Sequence, residues 1–472
     1  MGVLSSQNHS NEQTSANSRN SRKSEECDVI RIGAGAGFAG DRIDPAAELA
    51  ERGDLDYLVF ECLGERTVAL GQQRRRENSD AGYDPLLDAR MRAVLPACRR
   101  SGTRIITNSG SANPLAAGRL IERVARELGL AGIRVGVVTG DDVTQAASEL
   151  DPVLWETGRP ISQAESPLLS ANAYIGAEPI REALAAGADV VVTGRAADPS
   201  LYVGPLAHEF GWDLDDPQLV GRGTLIGHLL ECAGQLTGGY FADPLTKPVP
   251  DMARLGFPYA EVSRDGSAVL TKVPDTGGRV DTQTCAEQLL YEVSDPGAYL
   301  TPDVTADFSG VRFEQVGPDR VAVTGGGGRT RPDTLKVTLG FDGGWQGEGQ
   351  LTYAGPRCLE RARWAGEIVR ERLIAVHGLQ EEEIDVEFIG AGAAFRGLVD
   401  PGDPIEVRLR VAVHTRTQEH AKAAGWEVEA LYTNGPAGGG GARRSHGPVI
   451  AVRSADIPRD AVRTAVTLIG DE

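Results

Sequence analysis

The chain has 472 residues, of which 41% are hydrophobic, 5% aromatic and 59 are glycine, enough for two or three domains with true cores. Its formal net charge of −19 excludes the broad basic face that tracking a phosphate backbone needs, so nucleic acid is not an expected partner. No run approaches the ~18 apolar residues of a membrane span, and no membrane partner is expected.

Residues 1–26 are polar and rich in Ser and Asn; they read as a disordered tail. A first strand, Val29–Ile32, enters a loop in which Gly35-Ala-Gly37-Phe-Ala-Gly40 matches the G-x-G-x-x-G fingerprint. Dinucleotide binding needs a helix that starts inside that motif, and an acidic residue further on for the ribose. Glu61, at the end of the next strand, fits the second condition. The first fails: Asp41 and Arg42 follow the last glycine, and Asp44-Pro45 is a late cap-then-proline helix start. Neither NAD nor FAD is expected. Gly35 and Gly37 are expected to let the backbone approach some other ligand.

Further short β-branched runs follow at Tyr57–Phe60, Arg104–Thr107, Arg134–Val138, Ala171–Ile175 and Asp189–Thr193, with helical stretches such as Pro85–Gly102 and Pro114–Gly132 between them. Strands alternating with helices predict an α/β fold: a mostly parallel sheet with flanking helices in three layers, a barrel remaining the alternative. From about residue 253 the pattern changes. Hairpins are expected to turn at Asp265-Gly266 and at Asp342-Gly343-Gly344. A helix over Cys358–His377, strands at Asp385–Ile389 and Ile405–Val413, a helix over Thr417–Glu429 and a strand at Val449–Arg453 follow. The expected division is an α/β domain over 27–334 and a small α+β, ferredoxin-like domain over 335–472, with no internal repeat.

In open parallel sheets, ligands gather beyond the carboxyl ends of the strands. Those ends carry Asp41 and Arg42, then Glu61, Cys62, Glu65 and Arg66, Asn108, Asp141 and Asp142, Asn172 and Tyr174, and Arg195 and Asp198. Asp44, Asp84, Asn113 and Asp198 each precede a proline and have a plain alternative role as helix caps. Asp41, Arg42, Glu61, Asn108 and Arg195 lack that explanation and are candidates to face a ligand, Arg195 as the guanidinium for a carboxylate or phosphate.

A second group lies in "GTLIGHLLECAGQLTGG", Gly223–Gly239, where His228, Glu231 and Cys232 share one helical face. Three chemistries fit: an acid–base pair, a thiolate activated by His228, or a metal site. A helix whose His and Glu merely satisfy each other fits as well. The late run "NGPAGGGGARR", Asn434–Arg444, with His446 close by, is either an anion nest or a solvent loop. The six cysteines, at 27, 62, 98, 232, 285 and 358, show no C-x-x-C pair, which points to a reducing cytoplasm.

"GAGAGFAGDRIDPA", "DYLVFECLGERT", "NSGSANP", "TGRAADPSL", "GHLLECAGQLTGG" and "LYTNGPAGGGGARR" together resemble the acyclic terpene utilisation (AtuA) family over about residues 28–453. The resemblance implies an α/β region with a smaller ferredoxin-like domain. It also implies a place in the degradation of branched acyclic terpenoids as CoA thioesters, with a lyase step on a 3-hydroxy-3-isohexenylglutaryl-CoA-like substrate. Members also stand beside biosynthetic genes, so natural-product tailoring is a second implication. No catalytic role transfers residue by residue.

The expected function is lyase or hydration chemistry on a small carboxylate or acyl-CoA. Asp41, Glu61 or His228 is the base, with Glu231 and Cys232 beside it. Arg42, Arg195 and the glycine-loop N–H groups meet the anionic parts, and Asn108 and Asp198 help bind. A divalent metal on Asp41, Glu61 and Asp142 is the open alternative, and no residue is assigned as its ligand. The rival is a non-catalytic carrier or scaffold subunit for an acyl-CoA enzyme. A homo-oligomer is compatible with either.

Overall fold

The computed structural model describes residues 29–396, 398–400 and 402–470; the tail assigned to 1–26, and Cys27, lie outside them. Strands run at Val29–Ala36 (β1), Tyr57–Phe60 (β2), Arg104–Thr107 (β3), Val135–Thr139 (β4), Leu168–Ala173 (β5), Val190–Val192 (β6), Pro258–Ser263 (β7) and Ala268–Lys272 (β8). They continue at Tyr299–Leu300 (β9), Thr305–Asp307 (β10), Arg312–Gly317 (β11), Arg320–Thr324 (β12), Gly327–Arg329 (β13), Thr334–Ala354 (β14), Ile384–Ile389 (β15), Glu406–Thr415 (β16), Gly440–Pro458 (β17) and Ala465–Ile469 (β18). Eleven α-helices lie among the described residues. None is long and apolar enough to cross a membrane.

The chain forms two compact units. The larger holds 29–163, 170–339 and 454–470 of the described residues, and the smaller holds 164–169 and 340–453. They are not consecutive in sequence, as a single cut at 334/335 would make them. The last strand, β18, pairs with β4 of the larger unit.

The larger unit is built on a ten-stranded sheet of order β11–β12–β8–β7–β1–β2–β3–β6–β4–β18. The five strands from β1 to β4 in that order are parallel, and their side chains are almost entirely buried, as strands covered on both faces must be. The other neighbours are antiparallel. The sheet is therefore mixed, where a mostly parallel one was expected. The reason is the change of connection after residue 253. The tight turn expected at Asp265-Gly266 joins β7 to β8, and it adds strands beyond β1 without a crossover helix.

Two other expectations fail locally. The run at Ala171–Ile175 supplies β5, but β5 pairs with β14; the backbones of Val143 and Ala173 tie it to the loop that follows β4. The hairpin at Asp342-Gly343-Gly344 does not form, because β14 runs unbroken for 21 residues. Asp342 Oδ1 accepts the Gly344 N–H at 2.9 Å and Gly344 takes φ of 77°, a left-handed kink inside one strand that glycine makes at little cost.

The smaller unit carries a sheet of order β15–β16–β14–β17, in which β16 is antiparallel to both β15 and β14. Helices Cys358–Ala375 and Gln418–Asn434 pack Ala362, Val369, Ala424 and Val428 on Leu351, Leu409 and Val411 of that sheet. The Asn434–Arg444 run is divided between the end of the second helix and the start of β17.

Candidate active site

The loop after β1 is shaped by its own carboxylate. Asp41 Oδ2 accepts the Gly37 N–H at 2.9 Å and Oδ1 accepts that of Arg42 at 2.8 Å. The next helix starts only at Asp44, with Pro45 in its first turn. Gly37 packs on the backbone of Cys232, where a Cβ would lie 2.5 Å from the carbonyl carbon, so only glycine fits. Gly35 lies against the ring of Phe60 and takes no part in the cavity below. Behind the loop stands Arg90, wholly buried. It pairs with Asp84 and donates to the carbonyl of Ala39 at 2.7 Å.

Beside this loop lies a cavity of about 630 Å³. Its lining includes the acidic residues Asp41, Glu61, Glu65, Asp198, Glu231 and Glu292. It also includes the aromatic and aliphatic residues Phe38, Tyr240, Met252, Leu255, Phe257 and Tyr291. Arg42, exposed and donating to the carbonyls of Met252 and Ala253, lines it as well.

Glu61 is fixed from behind. Its Oε1 accepts the Leu63 N–H at 2.7 Å and Asn108 Nδ2–H at 2.9 Å, while Asn108 Oδ1 accepts the Cys62 N–H. Burial and the neighbouring charge of Asp198 lift its pKa well above the usual range, against the pull of Arg195 and Asn108. Burial lifts Asp198 too, although Arg195 opposes it. Asp41 is likewise raised by burial, despite its two backbone bonds.

Arg195 is buried, and its guanidinium is held inside the protein. Nη1 donates to the Leu63 carbonyl, Nη2 pairs with Asp198, and the group lies 4.1 Å from the centre of the Tyr174 ring. Glu65 behaves unlike its neighbours. Burial works to raise it, but Lys336 at 2.9 Å and the Tyr174 hydroxyl at 2.7 Å hold it down at about 2.

The helix Pro217–Leu230 is started by Asp216, which accepts the N–H groups of Gln218 and Leu219. Its last turn delivers His228 and Glu231. His228 Nδ1 lies 2.9 Å from Glu231 Oε1, Nε2 lies 3.1 Å from the Leu289 carbonyl, and the ring is packed against Tyr299 and Phe308. His228 does not line the cavity; Glu231 does. Burial, reinforced by Asp198 and Glu292, lifts Glu231 to about 7 against the pull of His228. The charge of Glu231 raises His228 in turn, overcoming the burial that would lower it. Glu231 Oε2 is buried and has no hydrogen-bond partner among the described residues. Cys232 lines the cavity with its thiol pushed far up by burial and by the charge of Glu231.

The cavity thus gathers Gly37, Asp41, Arg42, Glu61, Arg195, Asp198, Glu231 and Cys232 from the expected residues. Asn108 supports Glu61 and His228 supports Glu231 from outside it. Asp142 is elsewhere, bonded to Thr144 and Gln72. Among the described residues, no three His, Cys, Asp or Glu side chains are placed to share a metal ion. Sequence reasoning missed the apolar wall and Glu292. The one available signal was the aromatic pair Tyr240-Phe241 directly after the Gly238-Gly239 turn.

A family model for the acyclic terpene utilisation family protein AtuA matches residues 30–468. No curated protein matches the chain, and no solved structure does. The chain belongs to the acyclic terpene utilisation family.

Proposed function

We propose that this protein is an enzyme that moves protons on a small branched carboxylate or its acyl-CoA thioester, in lyase or hydration chemistry. The observation that carries the reading is Glu231, whose buried Oε2 has no partner among the described residues, on a cavity that also holds three further raised acids, Asp41, Glu61 and Asp198. Groups titrating near neutrality give and take protons efficiently at cellular pH. Glu231 takes the proton from the substrate hydroxyl or α-carbon. Glu61, whose burial favours its protonated form, donates to the oxygen on which charge develops. Arg42 meets the carboxylate or thioester end, and the aromatic and aliphatic wall receives the hydrocarbon.

The same reading places the protein in the cytoplasm, in keeping with five free cysteines among the described residues. It takes the strand–helix–strand–strand–helix–strand order of the smaller unit as ferredoxin-like, and the larger unit as three layers.

The test is incubation of the purified protein in deuterated water with 3-hydroxy-3-isohexenylglutaryl-CoA, and separately with the free acid, followed by mass spectrometry. Cleavage, water loss or deuterium uptake that disappears in Glu231→Gln is expected. No change in either compound would overturn the reading in favour of a scaffold or carrier role.

A further inference from the structure

The basic end of the Asn434–Arg444 run, with His446, is a motif that the proton transfer leaves unused. In the smaller unit it borders a groove of about 680 Å³, a volume within the ~300–1,000 Å³ of small-molecule sites. From β17 the groove is lined by Arg444, Ser445 and His446, and from the helix Gln418–Asn434 by Glu419, Lys422 and Trp426.

Close packing of helix on sheet brings these residues together. Gly347 of β14 leaves room for the backbone of Ala421, and Gly425 of the helix leaves room for Arg444, whose Cβ would stand 2.7 Å from a Cβ added at Gly425. The arginine stem therefore crosses the helix over bare backbone. Its guanidinium reaches Glu429, one helical turn beyond Gly425, at 2.9 Å.

The charges around the groove are unevenly matched. The buried Glu427 is answered by Arg372 at 2.7 Å and by His377, a further lining residue, at 2.8 Å. Glu429 is answered by Arg444. Lys422 is exposed and has no ion pair among the described residues, and there neither the Ser445 hydroxyl nor the His446 ring has a hydrogen-bond partner. Glu419 is the one carboxylate on the lining. In a chain of net charge −19, Lys422, Arg444 and His446 are a local reversal of sign. Trp426 lies one turn from Lys422 on the same helical face. It is 63% exposed, and among the described residues no other ring or cation is stacked on its indole.

We infer that this groove binds a 5′-mononucleotide, with the base on Trp426 and the phosphate on Lys422, Arg444 and Ser445. A phosphate monoester takes several charge-assisted donors at once, which the two basic side chains, the hydroxyl and the His446 ring supply. An exposed indole stacks on a base whatever its identity. A bare inorganic anion would leave Trp426 idle, and an uncharged ring would leave the cations idle; a ring joined to an anion uses both. NAD, NADP and FAD have no free 5′-phosphate and are not ligands of this kind. The inference is independent of the proton-transfer reading, since the groove is lined by the smaller unit and the carboxyl cavity by the larger.

Titration calorimetry on the full chain with AMP, adenosine and ribose 5-phosphate tests this. AMP should bind at least ten-fold more tightly than either fragment. Trp426→Ala should weaken AMP roughly 5–150-fold, the usual effect of removing a stacked aromatic, and leave ribose 5-phosphate within two-fold. Lys422→Gln should weaken AMP and ribose 5-phosphate alike. Both side chains are exposed, so the melting temperature of each variant should stay within a degree or two of the parent's. No binding of AMP at millimolar concentration, AMP no tighter than its fragments, or an AMP affinity untouched by either substitution would each overturn the groove as a nucleotide site.

Discussion

His228 stands directly behind Glu231, with Nδ1 2.9 Å from Oε1, while the other carboxyl oxygen of Glu231 has no partner among the described residues. The imidazole thus holds one oxygen and leaves the second unbonded among the described residues. In the proposed proton transfer His228 is a positioning residue, and Glu231 is the group that would touch the substrate.

His228→Gln should therefore move the pH profile of turnover as well as lower stability. Without the imidazolium, the Glu231 carboxylate loses its nearest positive charge, and the limb set by its ionisation shifts to higher pH. The lost charge-assisted bond costs about 1.5–3 kcal/mol of stability. A variant with lower stability but an unmoved profile would reduce His228 to packing.

Stability itself should fall as pH rises through neutrality. Glu231 is lifted to about 7 in the folded chain, so above the ordinary carboxylate range it keeps a proton that the unfolded chain has lost. That favours folding at low pH, and the advantage drains away as pH climbs towards 7, at roughly 1.4 kcal/mol per pH unit per group. His228, also raised, acts in the same direction: its contribution is present below its unfolded pKa and is lost as pH rises through the folded one. Denaturant titrations between pH 5 and 8 should show this slope in the unaltered chain and a shallower one in Glu231→Gln.

Arg195 is expected to be costly to replace. Arg195→Met leaves the buried Asp198 carboxyl without its partner and the Leu63 carbonyl without a donor, a loss of about 3–5 kcal/mol for a broken buried pair. Arg195→Lys keeps the charge but not the fork, and should fall between the two. Thermal melting ranks the three proteins. A lysine variant as stable as the parent would show that the two contacts are not needed together.

Cys232 should behave as a thiol and not as a nucleophile. Burial and the charge of Glu231 both oppose the thiolate. Cys232→Ser should retain most turnover, and alkylation by iodoacetamide at pH 7 should be slow. Complete loss of activity in the serine variant would return Cys232 to the centre of the mechanism.

NAD, NADP and FAD should all fail to bind. The N–H of Gly37 is already taken by the Asp41 carboxyl group, so it is not free for a pyrophosphate, and the loop backbone is packed against Cys232. Calorimetric titration giving micromolar affinity for any of them would contradict this.

The strand ends were legible because residue type and position agree there. Asp41, Glu61, Arg195 and Asp198 all follow buried β-branched runs, and all reach one cavity. Spacing on a helix brought His228 to Glu231, which lie 2.9 Å apart, but the helix ends at Leu230, before Cys232, and spacing carries no depth, so it does not separate Glu231 on the cavity from His228 behind it. Charge alone made Arg195 look available to a ligand; the Leu63 carbonyl and Tyr174 ring that enclose it lie far away in sequence. Asp342-Gly343-Gly344 has the composition of a hairpin turn. Only the pairing of β14 with β16, continuous from Trp345 to Ala354, makes it a kink instead.

The late return of the chain governs the timing of its synthesis. The β18 strand covers β4, yet it leaves the ribosome only after the whole smaller unit has been made. At ~5–20 residues per second, the run from Val135–Thr139 to Ala465–Ile469 leaves β4 an open edge for on the order of tens of seconds. An unpaired edge of that length of life is a template for stray strands. Nascent chains of this protein are therefore open to stray pairing at β4 until β18 has emerged, and a variant that lacks β18 would make that brief hazard permanent.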